Sequence, residues 1–142
     1  MAGTVTTTAT RLHHVVFCVR PDNLERAANV WRDLGLVFEE IVLPELSLRV
    51  LLSWSAGIEL ITPTDDSPAA APYTAFLAEH GEGVYSLAVG VPEHAAAVEI
   101  ARRHGAQVLF HQVRSQPHSL EETNLAPLHG MPITFLTTDL PL

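Results

Sequence analysis

The sequence is short of several things. It has one cysteine, Cys18, in 142 residues, and a lone thiol excludes an internal disulfide and a cysteine-built metal site. It has no lysine: eight arginines face sixteen acidic residues, for a formal net charge of −8. Such a surface is a poor match for phosphate-rich nucleic acid. Unbroken apolar runs last only a few residues, against the roughly 20 a transmembrane helix needs. The opening MAGTVTTTATR has no apolar core of the kind a secretory signal carries. Residues 1–10 read as a loose polar lead-in. These absences suit a cytoplasmic protein that partners neither nucleic acid nor membrane.

What is present is apolar content: 47% hydrophobic residues and a mean hydropathy of +0.20. That supports one large core at this length and argues against disorder.

The chain also repeats itself. LHHVVFCVRPDNLERAANVWRDLG, near the start, and VYSLAVGVPEHAAAVEIARRHG, later, share one frame. His14 pairs with Ser86 and Val19 with Val91; Pro21 pairs with Pro92 and Gly35 with Gly105. GIELIT (57–62) then resembles PITFLT (132–137), with Ile58 paired to Ile133. The offset drifts by a few residues, as changes in loop length produce, and the three segments keep the same order.

Each copy opens with a β-branched, aromatic-rich strand bounded by proline. In the first, Asp22 is the expected N-cap of a helix, with Glu25 completing a capping box. Leu24, Ala27, Ala28, Trp31 and Leu34 fall on one helical face, and Gly35 supplies the left-handed stop. Strands are predicted at 36–43, 47–53 and 57–62, so the unit is β-α-β-β-β. In the second copy Pro92 lies near the first turn of an alanine-rich helix that runs through His104 to Gly105. QVLFHQV and MPITFLT read as strands. RSQPHSLEETNLAPLHG between them is polar and ambiguous, with one weak strand at most. TPTDDSPAAAP (62–72) joins the halves as a turn-rich segment, and YTAFLAEHG reads as a short helix.

This α+β arrangement, together with LHHVVFCV, GIELITP, GEGVYSLAVGV and HGMPITFL, resembles the vicinal oxygen chelate superfamily. That group includes glyoxalase I, extradiol dioxygenases, bleomycin- and fosfomycin-resistance proteins and methylmalonyl-CoA epimerase, and the epimerase branch is the most similar. The resemblance covers about 11–137. It implies a single domain of two β-α-β-β-β modules (about 11–62 and 82–142, joined by 63–81) whose curved sheets enclose a cavity, and a homodimer.

The resemblance also implies one divalent metal held by four side chains, from the first and last strand of each module. Carried over, these positions fall on His14, Glu59, Ser86 and Thr134. A rival alignment places HGMPITFL on the penultimate strand, in which case the chain stops before the last one. Either way the fourth carboxylate is missing. Hydroxyls are poor ligands beside imidazole and carboxylate, so His14 and Glu59 form a partial metal set, and the metal is expected to be weak or absent. Alternation puts His14, Val16 and Cys18 on one strand face, with His13 on the other. Glu59 then becomes a candidate general base with His14 as its partner.

Blander readings stand beside these. Glu59 could be an exposed sheet-face carboxylate, and Ser86 and Thr134 small fillers or substrate-binding hydroxyls. Arg49 could bind a substrate carboxylate or phosphate, or reach out to solvent. Trp31 and Trp54 fit core and cavity-rim positions, Trp54 within reach of a substrate. His111, His118 and His129 could build a different site. Two functions follow. One is an enzyme that transfers a proton next to a carbonyl (epimerase, isomerase, cyclase or lyase), acting on a small apolar carbonyl compound. The other is a metal-free small-molecule binding or resistance protein. The acidic surface counts against a coenzyme A thioester, whose phosphates want basic contacts.

Overall fold

The structure, a computed structural model, describes residues 9–139; most of the predicted lead-in lies outside them. Two compact units emerge. One is His14–Tyr85, and the other runs from Ser86 and takes in residues 9–13.

The first unit contains β1 (Arg11–Cys18, shared at its start with the other unit), α1 (Leu24–Asp33), β2 (Glu39–Leu43), β3 (Leu48–Ser53), β4 (Ile58–Pro63) and α2 (Ala71–His80). Its strands lie in the order β2-β3-β4-β1. β1 and β4 are parallel, with Val16 opposite Glu59 and Cys18 opposite Ile61; the other pairs are antiparallel. Strand alternation divides the apolar residues between two faces. Leu51 and Leu60 pack with Leu24 and Ala28 of α1. Val16, Cys18, Val50, Leu52 and Ile61 pack with Leu77 of α2 and with Tyr73, Phe76 and Tyr85.

The second unit contains β5 (Gly83–Gly90, shared at its start with the first unit), α3 (His94–Arg103), β6 (Val108–Arg114), β7 (Leu120–Leu125) and β8 (Ile133–Thr138). They lie in the order β5-β8-β7-β6, again with one parallel pair, β5 with β8, where Ala88 faces Thr134.

The repeat read from the sequence extends to individual hydrogen bonds. Val15 N–H donates to the Gly57 carbonyl at 2.9 Å, and its counterpart Leu87 donates to Pro132 at 2.8 Å. Val19 donates to Ile61 and Val91 to Leu136, both at 3.0 Å. Both helices end alike. Gly35 (φ 101°) and Gly105 (φ 92°) take the left-handed conformation, and the N–H groups of Leu36 and Ala106 reach back to Trp31 and Ala101, a Schellman closure. β8 relates to β5 as β4 does to β1, so PITFLT is the last strand of its module and the alignment with a missing strand fails.

Three local expectations need correction. Asp22 is not an N-cap: Pro21–Asn23 form a 3-10 turn, and α1 starts at Leu24 without a side-chain cap. Asn23 Nδ2 and the Arg20 N–H are bound instead by the Glu82 carboxylate, each at 2.9 Å. The strand predicted at 36–43 begins only at Glu39, because the Leu36 N–H still belongs to the helix closure. The ambiguous polar segment contains a full strand, β7, paired on both sides.

Candidate active site

The first unit brings His14 and Glu59 together. His14 projects from β1 two residues before Val16, on the face where Val16 lies opposite Glu59. Adjacent parallel strands with matched alternation put both side chains on one face. Their separation is 2.9 Å from His14 Nε2 to Glu59 Oε1. The imidazole is 4% exposed and the carboxylate 17%, so Glu59 is not the exposed sheet-face residue of the blander reading. Leu52, opposite Glu59 on β3, and Val16 are buried beside it. The carboxylate thus sits in a mostly apolar wall with an imidazole against it.

Trp54 closes one side. Its ring meets His14 edge-on at 6.0 Å, and its indole N–H donates to Glu39 Oε1 at 3.3 Å. Cys18, on the same strand face, is fully buried. Burial first, and the nearby Glu82 charge second, push its thiol up to about 12, so it stays protonated and is no nucleophile at neutral pH.

Arg49 is not brought to this pair. On β3 it alternates with Val50 and faces the α1 side, where it binds Glu40 and Glu25. The Arg49 hydrogen bond holds the Glu40 carboxyl below its ordinary range. Trp31 is likewise on the α1 side, packed against Phe17 at 6.4 Å.

In the second unit, Ser86 and Thr134 occupy the positions equivalent to His14 and Glu59, and they too touch. Their hydroxyls lie 2.7 Å apart, buried, with Ser86 Oγ 3.3 Å from the Pro132 carbonyl. The register that pairs a histidine with a carboxylate in one copy pairs two hydroxyls in the other.

Of the remaining histidines, His129 lies in a tight turn with φ 51°, where Leu128 and Met131 bridge. His111 is bound to Glu121 at 2.9 Å, and His94 stands close by. The sequence reading passed over His94 and Glu121. The signal that could have found them is the repeat itself, since His94 opens α3 where Leu24 opens α1.

Comparison with known proteins agrees with this architecture. Residues 13–121 match the family described as Glyoxalase/Bleomycin resistance protein/Dioxygenase superfamily. Among curated proteins none matches the chain. Among solved structures, Streptomyces coelicolor methylmalonyl-CoA epimerase in complex with 2-nitronate-propionyl-CoA is similar, at 23% identity and a TM-score of 0.75 over 94% of this chain and 100% of that one. A second variant of that enzyme with the same ligand gives 25% and 0.74, over 94% and 100%. The Mycobacterium tuberculosis methylmalonyl-CoA epimerase gives 23% and 0.70, over 99% and 94%.

Proposed function

This chain belongs to the glyoxalase/bleomycin resistance protein/dioxygenase superfamily, and we propose that within it the protein is an epimerase-type enzyme moving a proton on a carbon next to a carbonyl. The observation that carries this reading is the buried His14–Glu59 contact at 2.9 Å. A carboxylate in an apolar wall, with limited exposure, is a suitable acceptor for a carbon-bound proton. In the mechanism Glu59 takes the α-proton, the electron pair moves onto the carbonyl as an enolate, water delivers a proton to the opposite face of the enolate carbon, and Glu59 returns its proton to solvent. His14 donates its Nε2–H to Glu59, fixes the carboxylate's direction, and steadies its charge before the transfer. The edge-on Trp54 ring limits the positions the imidazole can adopt. Ser86 and Thr134 remain substrate-binding hydroxyls in this reading, on the strength of their equivalence to the first pair.

The family's divalent metal does not fit the residues present. Two of its four positions hold neutral hydroxyls engaged with one another, which leaves His14 and Glu59 as the only good donors of the four.

The Streptomyces coelicolor epimerase named above is in complex with 2-nitronate-propionyl-CoA, so the substrate panel should contain 2-methyl-branched acyl-CoA thioesters. The charge of −8 favours including smaller carbonyl compounds without phosphates. The test is deuterium uptake at the α-carbon in heavy water, read by NMR, by the wild-type protein and by Glu59→Gln. Binding without exchange for every compound in that panel would favour the alternative of a small-molecule binding protein. The aromatic group of Tyr73, Phe76 and Tyr85, with ring centroids 5.1 and 5.5 Å apart, would suit such a role. Among the described residues no helix is long and apolar enough to cross a membrane. We place the protein in the cytoplasm as a homodimer.

A further inference from the structure

We propose a second site in this protein: a divalent-cation site of the zinc class, built by His94, His111 and Glu121 on the α3-covered face of the second unit's sheet. The three ligand atoms all lie within 4.8 Å of one another. Glu121 Oε2 sits 2.9 Å from His111 Nε2 and 4.0 Å from His94 Nε2. Two imidazoles and a carboxylate are the donors that Zn2+, Ni2+ and Co2+ favour. The site is distinct from the family's metal position. Thr123 faces Phe135 and Glu121 faces Thr137 across β7 and β8, while Thr134 is on the alternate face.

The comparison that carries the proposal is internal to the molecule. His94 is the first residue of α3, as Leu24 is of α1. Through the matched registers Thr123 stands for Leu51, His111 for Glu40 and Glu121 for Arg49. The first copy thus shows what the fold requires here: a cross-strand ion pair at the edge, Arg49 with Glu40, over a fully buried Leu24 packed on Leu51. The second copy keeps the edge pair as His111 with Glu121. It replaces the leucine contact with a buried histidine aimed at that pair. Folding alone does not ask for this exchange, because the first copy closes the same position with Leu24 on Leu51 and no polar group.

His94 is held as metal-binding histidines are. Its Nδ1 lies 3.0 Å from Thr137 Oγ1 and its Nε2 2.7 Å from Thr123 Oγ1. With the proton on Nδ1 and donated to Thr137, Nε2 carries the lone pair a cation needs, the orientation that a second hydrogen bond usually imposes on a ligating ring. The Thr123 hydroxyl occupies that lone pair in the cation-free state and rotates away when an ion binds. His111 and Glu121 are 48% and 38% exposed, so they can close the remaining distance and leave a side open to water. A bound ion would tie the start of α3 to the β6–β7 hairpin.

The test uses the whole chain, stripped with a chelator and titrated with Zn2+ alone by calorimetry and by thermal melting. The expected result is one equivalent bound with a Kd tighter than about 100 μM, and a higher melting temperature. His111→Ala, Glu121→Gln and His94→Leu should each weaken binding at least about tenfold, while His14→Ala should not. The first two changes are at half-exposed positions and leave the core intact; His94→Leu installs the residue the first copy uses. Weaker or absent binding overturns the proposal. So does zinc retained in His94→Leu, which would mean an edge His–Glu pair only, or zinc lost in His14→Ala, which would put the ion at the family position.

Discussion

Replacing Glu59 by glutamine separates proton transfer from everything else the residue does. In the structure the carboxylate makes one short contact, Oε1 to His14 Nε2 at 2.9 Å, and the amide oxygen of Glu59→Gln can accept the same bond. Size is unchanged, and the buried neighbours Val16 and Leu52 keep their contacts. The stability cost is the difference between a charge-assisted and a neutral hydrogen bond, about 1 kcal/mol. What the amide cannot do is take a proton from carbon. Loss of a positioned general base costs on the order of 100- to 10,000-fold in rate, or roughly 3–5 kcal/mol of barrier. The assay is α-deuteration in heavy water, with ligand affinity and urea unfolding measured on the same samples. The expected pattern is affinity within a few-fold, stability within about 1 kcal/mol, and exchange reduced at least about 100-fold. His14→Ala should cost less if the imidazole only directs the carboxylate. Exchange at the wild-type rate in Glu59→Gln would refute the assignment of the base.

Three other properties of the protein are open to measurement. Glu82 accepts bonds from the Arg20 N–H and Asn23 Nδ2, which hold its carboxyl below 4.5. Its contribution to stability is therefore complete above the unfolded pKa and lost as pH falls through the lower folded value; urea unfolding at successive pH values below 4.5 should show that decline, and Glu82→Gln should flatten it. The double change His94→Leu with Thr123→Leu copies the Leu24–Leu51 contact, and should stabilise the zinc-free chain by about 1–3 kcal/mol, apolar burial outweighing two lost hydrogen bonds. Destabilisation in urea would mean the polar group serves folding after all. The edge strand β6 exposes Leu109 and Val113 at 63% and 70%, and sedimentation at micromolar concentration should find a dimer; a monomer would end that assignment.

Much of the fold was legible because it is written twice. Proline after the first strand, an amphipathic run and a stop glycine mark each module, and Gly35 and Gly105 have the left-handed conformation their positions imply. Where one copy blurred, the other was the better guide. β7 was unreadable by propensity, since LEETNL has neither alternating apolar residues nor β-branched runs. Its counterpart LRVLLS is plain, and the registers of the two are the same. Helix starts were the weaker inference. Asp22 has the right chemistry for a cap, but Pro21 pulls the turn into a 3-10 form, and Glu82, sixty residues away, anchors the residues on either side through the Arg20 N–H and Asn23 Nδ2. No local rule sees a partner that distant.

The candidate site was legible for the same reason, and only in part. His14 and Glu59 could be placed together because strand alternation and the repeat fix their face and height. Arg49 stayed open between a substrate contact and an outward reach, because its place in an apolar strand does not say which charged groups it meets. Parity puts it with α1, where its partners are carboxylates of this chain.

The repeat also explains why the two copies diverged as they did. A module needs one apolar layer between sheet and helix, and a pair of facing residues on the first and last strands that satisfy one another. His14 with Glu59 and Ser86 with Thr134 both meet the second requirement, at 2.9 and 2.7 Å. Folding therefore tolerates the loss of histidine and carboxylate from the second copy without leaving a buried polar group alone. The first requirement is met by Leu24, Leu51 and Leu60 in one copy. In the other, the helix-side layer keeps Phe135 and Ala101 but admits His94, with both ring nitrogens satisfied. The polar chemistry thus lies on opposite faces of equivalent sheets: a paired acid and base on the α2 side in the first unit, an imidazole-carboxylate cluster on the α3 side in the second. Because each exchange preserves hydrogen-bond satisfaction, neither is forced by stability.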